Sequence, residues 1–433
     1  MTGDPLPIAR RNYQAARHLA EPVADHGTRW AAGRAALADD ISGIDSATAG
    51  IHLAQGRWLF DHRLAVGATE VRRSHAALAL RHPRFARHVT AFTDTPLSLP
   101  ETVVAAPDVY PAAGPGSGGA ATGLHSNIAA FHAGDVLGAM ALCPHTDRLC
   151  EIGGGYGAAA RLWLDNPIRQ PSLYVLLDFP ESLFFAELFL RLSLPQAEHR
   201  YLLATAEADG LQSAGSPGRP TIAYVPLALA EVVADLPFDL FLNSAGFQEY
   251  GAGWLDFYRA LLDGARCTRL FSHNLCLTPV GATPERITLF APRLGPCWVP
   301  RRVTYAAPLD VVQSVRFAAE ILFERQAEPP RQLFQRLLHV GLETGLDHAA
   351  LIRLLYLAPD DLPDDWLHRL VHEALEFLGY LPSEVLHLLR RQAARAAASG
   401  RPLSPGLQAV SDSLETDAAR MLEAARVAAR VDP

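Results

Sequence analysis

Between Arg148 and Asn274 five short apolar runs alternate with helical stretches, and this alternation constrains the fold more than any other feature of the chain. The runs are RLCEIG from residue 148, SLYVLLD at 172–178, TIAYVPL at 221–227, FDLFLNSA at 238–245 and TRLFSHN at 268–274. Helical spacing fills the intervals, most clearly in ESLFFAELFLRLSL and GWLDFYRALLDGA, with LALAEVVADL between them. Short buried strands separated by helices are the signature of a doubly wound α/β domain with a mainly parallel sheet. RITLF at 286–290 and RRVTYAAP at 301–308 offer two further edge strands, for seven in all.

The outer parts of the chain read differently. Residues 1–110 are short amphipathic helices, among them RSHAALALRHPRFARHVTAF at 73–92, without strand alternation. PAAGPGSGGAATG at 111–123 is a linker or loop rich in glycine and proline, the α/β domain is expected over 124–310, and 311–433 returns to helical spacing. The N-terminal helices suit a lid, acceptor selection or dimerisation, and a homodimer is compatible with the pattern.

Composition excludes several functions. The net charge is −8 and no basic stripe is present, so nucleic acid is not an expected partner. The N-terminus lacks a charged start followed by an apolar stretch, and no run reaches membrane-spanning length, so a cytoplasmic protein without membrane contact is expected. Five cysteines form no CxxC pair and no metal-ligand spacing with histidine. All 38 basic residues are arginine. The absence of lysine removes Schiff-base catalysis, a Walker A phosphate site and the Tyr-x-x-x-Lys pair of short-chain dehydrogenases.

The first strand runs into CEIGGGYGAAARLW, with Gly153, Gly155 and Gly157 as G-x-G-x-G and Glu151 two residues ahead of them. Bare backbone between a strand and a helix lets a ligand rest on N–H groups at the helix start. Gly153, Gly155 and Ala158 also match G-x-G-x-x-A, the dinucleotide fingerprint, which is weak by itself. Asp178 ends the second strand and is placed to hold ribose hydroxyls with either ligand. Glu151 favours S-adenosylmethionine (SAM), because its sulfonium and ammonium welcome an acid that a pyrophosphate would not.

Three stretches, LCEIGGGYGAAARLWL, YVLLDFPESLFFAELFL and FDLFLNSAGFQEYG, resemble class I SAM-dependent methyltransferases, and more narrowly the sugar O-methyltransferase family. The resemblance covers roughly residues 125–275. It implies a Rossmann-like domain with helical additions at both ends, SAM as cofactor, and transfer of a methyl group to a hydroxyl of a sugar or glycosylated secondary metabolite. Carried onto this chain, it puts Glu151, Gly153, Gly155, Tyr156 and Gly157 at the methionine end of the cofactor. Asp178 falls at the ribose, Phe179 beside the adenine, Asn243 and Ser244 where cofactor and acceptor meet, and Gln248 towards the acceptor.

An aliphatic hydroxyl needs a base within reach before it attacks. His273, at the end of the fifth strand, is the first candidate; His125 and Glu249 are the others. For each a structural role is the alternative: a core or solvated histidine, or a carboxylate capping a helix. No metal site is expected, since His368 and His372 in HRLVHE lie on what reads as a solvated helix face. Two other functions remain open: an NAD(P)-dependent oxidoreductase, and a non-catalytic binding module that keeps the SAM fold.

Overall fold

The computed structural model describes residues 4–23, 27–45, 135–164, 170–215, 219–275, 294–306, 318–344, 348–359, 362–378 and 383–400, with 405, 407 and 408. Within these spans 137, 141, 245, 248, 249, 251 and 296 lie outside the description, as do the segments 73–92, 111–123 and 286–290 considered above. The chain divides into two units, Met1–Asn274 and Leu275–Pro433.

In the first unit the strands are β1 (Arg148–Ile152), β2 (Leu173–Asp178), β3 (Glu198–Tyr201), β4 (Thr221–Pro226), β5 (Leu240–Ser244) and β6 (Arg269–Leu275). They lie in the order β3-β4-β2-β1-β5-β6, and every neighbouring pair is parallel. β2, β4 and β5 are buried at every position and β1 at all but its first, as strands covered on both faces must be. The five apolar runs are therefore strands where the sequence puts them. β3 is an addition, from the stretch between SLYVLLD and TIAYVPL, where no strand is expected from the sequence. Its residues EHRY are all half-buried, and its place comes from pairing Glu198 to Tyr201 against Thr221 to Tyr224.

Helices α1 (Leu6–Ala16), α2 (Gly27–Gly43), α3 (Ala158–Leu164), α4 (Pro180–Ser193), α5 (Glu231–Asp235) and α6 (Ala252–Gly264) are described in this unit, with single turns over Thr205–Ala208 and Asp209–Gln212. α5 is shorter than LALAEVVADL suggests, because its first turn is a 3-10 turn over Leu227–Leu229.

α4 shows how the N-terminal segment is held. It starts on Pro180, whose missing N–H costs nothing at that position, and buries Leu183, Phe184, Phe185, Ala186, Leu188, Phe189 and Leu190. It also buries two carboxylates, Glu181 and Glu187. Glu187 accepts both bonds from the Asn12 amide of α1, at 2.9 and 3.1 Å, and pairs with Arg191 one turn on at 2.8 Å. Glu181 takes the Arg34 guanidinium of α2 at 3.0 Å, while the other side of that guanidinium is held by Glu21. Arg34 also lies 4.4 Å over the Phe179 ring, and Tyr13 meets Phe184 edge-on at 6.0 Å. α4 is thus buried along most of its length, and its carboxylates are answered by Arg34 and Asn12, more than a hundred positions earlier, and by its own Arg191.

The second unit holds an antiparallel pair, β7 (Trp298–Ala306) and β8 (Ala318–Arg325), and helices α7 (Pro330–Thr344), α8 (His348–Leu357), α9 (Asp364–Leu378) and α10 (Ser383–Ser399). Of the mainly parallel sheet of seven strands expected from the sequence, the described residues give six parallel strands in the first unit and an antiparallel pair in the second. β7 answers to RRVTYAAP, whereas β8 lies where the sequence reads as helical. Register shifts between Pro300 and Arg302, and Arg353 of α8 donates to the carbonyls of Pro300 at 3.0 Å and Arg301 at 2.6 Å, so the carbonyls beside the irregularity are satisfied. His368 and His372 are exposed on α9. Among the described residues no helix is long and apolar enough to cross a membrane.

Removing the cation from this arrangement should be costly. Arg34→Ala leaves Glu181 buried without its cation and is expected to lower stability by about 3 kcal/mol. Urea denaturation measures the loss, and hydrogen exchange should show α1 and α2 opening together.

Candidate functional site

The strand order reverses at β1. β2 and β4 lie on one side of it and β5 and β6 on the other, so connections leave the sheet in opposite directions from the carboxyl ends of β1 and β5. A crevice at such a switch point is where open α/β sheets hold ligands. Parallel register brings Ile152 level with Leu177 and Ser244 level with His273, so the ends of β1, β2, β5 and β6 share one edge.

The glycine loop hangs from that edge by a bond from the Gly153 N–H to the Leu177 carbonyl at 2.9 Å. Gly153 and Gly155 have φ of +73° and +54°, which a side chain resists. Their surroundings differ. A Cβ on Gly153 would lie 2.8 Å from the Tyr250 hydroxyl, whereas one on Gly155 would meet no atom within 4 Å. The loop is closed against the protein at its start and bare at Gly155. The Gly155 N–H donates to Asp178 Oδ2 at 3.0 Å and the Phe179 N–H to Oδ1 at 2.7 Å, which fixes the carboxylate at the end of β2 beside the loop.

Two carboxylates at this edge have only neutral partners among the described residues. Glu151 is 1% exposed and accepts one hydrogen bond, from the Tyr174 hydroxyl at 2.8 Å. Burial raises its pKa from 4.5 to about 8, against the Tyr174 bond and with added repulsion from Asp178 and Asp135. Asp178, 4% exposed, rises from 3.8 to about 7; burial outweighs the two backbone bonds and a Ser182 hydroxyl. Both groups gain most from a ligand that brings positive charge or donors.

The remaining expected residues fall into three groups. Asn243 is buried and ties strands together: its Nδ2 donates to the Ile152 carbonyl at 2.7 Å, and its Oδ1 accepts from the Phe247 N–H at 3.1 Å and Asn274 Nδ2 at 2.8 Å. Tyr156 is buried with its ring edge on Phe189 of α4 at 5.0 Å, and burial raises its pKa. Phe179 is 1% exposed, between Arg34 and an edge contact with Trp254 at 5.2 Å. These three side chains serve the frame around the crevice. Gly157 turns the chain into α3, where a Cβ would approach Leu190 to 2.8 Å.

Ser244 and His273 form the third group, and the structure adds a partner to them. The Ser244 hydroxyl donates to Asp135 Oδ2, and His273 Nδ1 meets Asp135 Oδ1. Asp135 lies in helical backbone ahead of β1 and is 1% exposed. Nothing in the sequence marks it, since an acid in HAGDVLG resembles an ordinary helical one and lies 138 positions from His273. Tyr174 and Arg34 are likewise silent in the sequence. His125, Gln248 and Glu249 lie outside the described residues.

No family model matches the sequence, and no curated protein does. Solved structures do match. A protein of Pyrococcus horikoshii described as an RNA methyltransferase is similar at 10% identity and a TM-score of 0.28, over 47% of this chain and 85% of that one. A structure concerned with conversion of a disulfide bond into a thioacetal group during echinomycin biosynthesis is similar at 14% identity and a TM-score of 0.28, over 48% and 87%. The N-terminal domain of EvdMO1, solved with S-adenosylhomocysteine (SAH) and D-fucose, is similar at 12% identity and a TM-score of 0.27, over 45% and 83%. The functional reading below rests on the site itself.

The two raised carboxyl groups set a pH dependence. From about pH 4 to pH 8 the folded state holds protons that the unfolded state has released, so stability of the free protein falls as pH rises through this window. The urea midpoint should be lower at pH 8.5 than at pH 6, and Glu151→Gln should flatten the slope.

Proposed function

We propose that the protein is a SAM-dependent O-methyltransferase of the class I kind, acting on a hydroxyl of a sugar or glycosylated metabolite. The observation that carries this reading is the pair of buried carboxylates, Glu151 and Asp178, set with neutral partners beside a bare backbone position at the switch point. A cationic nucleoside fits that chemistry. Its ammonium would offset the buried charge of Glu151, and its ribose hydroxyls would use the Asp178 lone pair left over from two backbone bonds and the Ser182 hydroxyl. A pyrophosphate would bring like charge to the same place, which disfavours the oxidoreductase alternative.

When bound, SAM supplies a methyl group on a sulfonium, and the chemistry then needs alignment and a base. Gly155 would leave space for the methionine portion of SAM, and Asp178 would hold its ribose. Asn243 holds the ends of β1, β5 and β6 together, so the cofactor edge and the acceptor edge keep their spacing. His273 accepts the proton of the acceptor hydroxyl as its oxygen takes the methyl group. The N-terminal helices dock on α4 through Arg34, which lies over Phe179, the residue after Asp178.

Calorimetry with SAH and with NADH tests the reading. At pH 7 Glu151 is largely protonated, so an arriving ammonium should release close to one proton, visible as a binding enthalpy that changes with buffer. Tight binding of NADH alone would overturn the proposal. Gly155→Arg should cost about 1–2 kcal/mol of stability at its positive φ and abolish SAH binding by filling the open space. His273→Ala should keep SAH affinity within about twofold and slow label transfer from methyl-labelled SAM to neutral hexoses by about a hundredfold or more. Unchanged transfer would assign the base elsewhere.

A further inference from the structure

The pairing of Asp135 with His273 and Ser244 points beyond a base at position 273. We propose that Asp135 is the positioning residue of the reaction: it holds His273 in the tautomer with hydrogen on Nδ1, so that Nε2 carries the lone pair that takes the acceptor's proton. The inference deepens the methyltransferase reading and rests on it.

The geometry carries this in three steps. Ser244 and His273 are register partners on adjacent parallel strands, β5 and β6, at the carboxyl edge of the sheet. Their side chains therefore lie side by side on one face of the sheet at its carboxyl edge. Asp135 comes from a separate segment ahead of β1 and meets both, one carboxylate oxygen to each. A hydroxyl can only donate to an ionised carboxylate, and the second oxygen is then an acceptor for Nδ1–H. With the acceptor side of Nδ1 excluded, the imidazole is left with a basic Nε2. All three groups are at least 94% buried, so the ring is fixed in rotation as well as in protonation.

Ser244 has a distinct part here. It occupies the Asp135 oxygen that would otherwise compete for Nδ1, which makes the contact monodentate and sets the ring plane. Ser244 thus belongs to the base assembly, in place of the cofactor contact that the sequence resemblance implies. A bare cross-brace between the pre-β1 segment and the sheet would need the hydrogen bonds but not the carboxylate, since an amide could supply them. That difference is what the test exploits.

Asp135→Asn keeps size and bonding capacity, but its amide donates to Nδ1 and drives the proton to Nε2, where the ring can no longer act as a base. Nitrogen-15 NMR of histidine side chains reads the tautomer directly, with His273 identified as the resonance set lost in His273→Gln. The expected result is the Nδ1–H form in the wild type and the Nε2–H form in Asp135→Asn, with SAH affinity and the urea midpoint close to wild type. Methyl transfer to neutral hexoses should then fall about a thousandfold in kcat with little change in KM, and Asp135→Glu should recover part of it. An Nε2–H form in the wild type would overturn the inference, and this measurement stands even if Asp135→Asn does not fold. So would an Asp135→Asn protein that changes tautomer yet keeps its kcat. Loss of SAH binding in the wild type would instead overturn the methyltransferase reading, whereas a wrong tautomer with SAH binding intact would overturn the present inference alone.

Discussion

Among the described residues the first unit buries five carboxylates, Asp135, Glu151, Asp178, Glu181 and Glu187, and the way each is compensated organises the parts around it. An ionised carboxylate away from water is tolerated only when charge or several donors answer it. Glu181 and Glu187 have arginines, Arg34 and Arg191, and these pairs lie where α4 meets the N-terminal helices. Asp178, Glu151 and Asp135 have hydroxyls, backbone amides and an imidazole, and all three lie at the carboxyl edge of the sheet. Charge is settled internally where the chain needs to hold together. It is left open where a ligand is expected.

This division also explains why a chain without lysine loses nothing at its site. Arginine serves the structural pairs because its planar fork can meet two carboxylates at once, as Arg34 does with Glu21 and Glu181. The crevice itself needs no fixed cation, since the proposed ligand brings one. Oxidoreductase chemistry on a dinucleotide would call for the reverse, donors or cations around a pyrophosphate, and the described edge of the sheet offers carboxylates.

Most of the central fold was legible in the sequence because buried parallel strands are written as continuous apolar runs. What escaped were elements whose conformation is imposed by neighbours. EHRY has no apolar face and becomes β3 only through β4. AAEILFER is composed largely of good helix formers, yet it lies as β8 because β7 pairs with it along its length. At the site, Glu151, Gly155, Asp178 and His273 were visible because each sits a fixed step from a strand end. Asp135 was not, since a contact across 138 residues leaves no local spacing. Tyr156, which stands among the glycines, is buried with its ring edge on Phe189 of α4.

The bonds between α4 and the N-terminal helices span 147 and 175 residues of sequence. A ribosome adding roughly 5–20 residues per second leaves α1 and α2 waiting some 10–30 s before the acids they are to neutralise have been made. During that interval Arg34 lacks Glu181 and Asn12 lacks Glu187, and the apolar faces of Leu6, Ala9 and Tyr13 lack α4. α1 and α2 can therefore reach their docked form only after α4 has been made. A nascent chain stalled before residue 180 would display these faces to chaperones, and one stalled beyond 193 and clear of the exit tunnel would have hidden them.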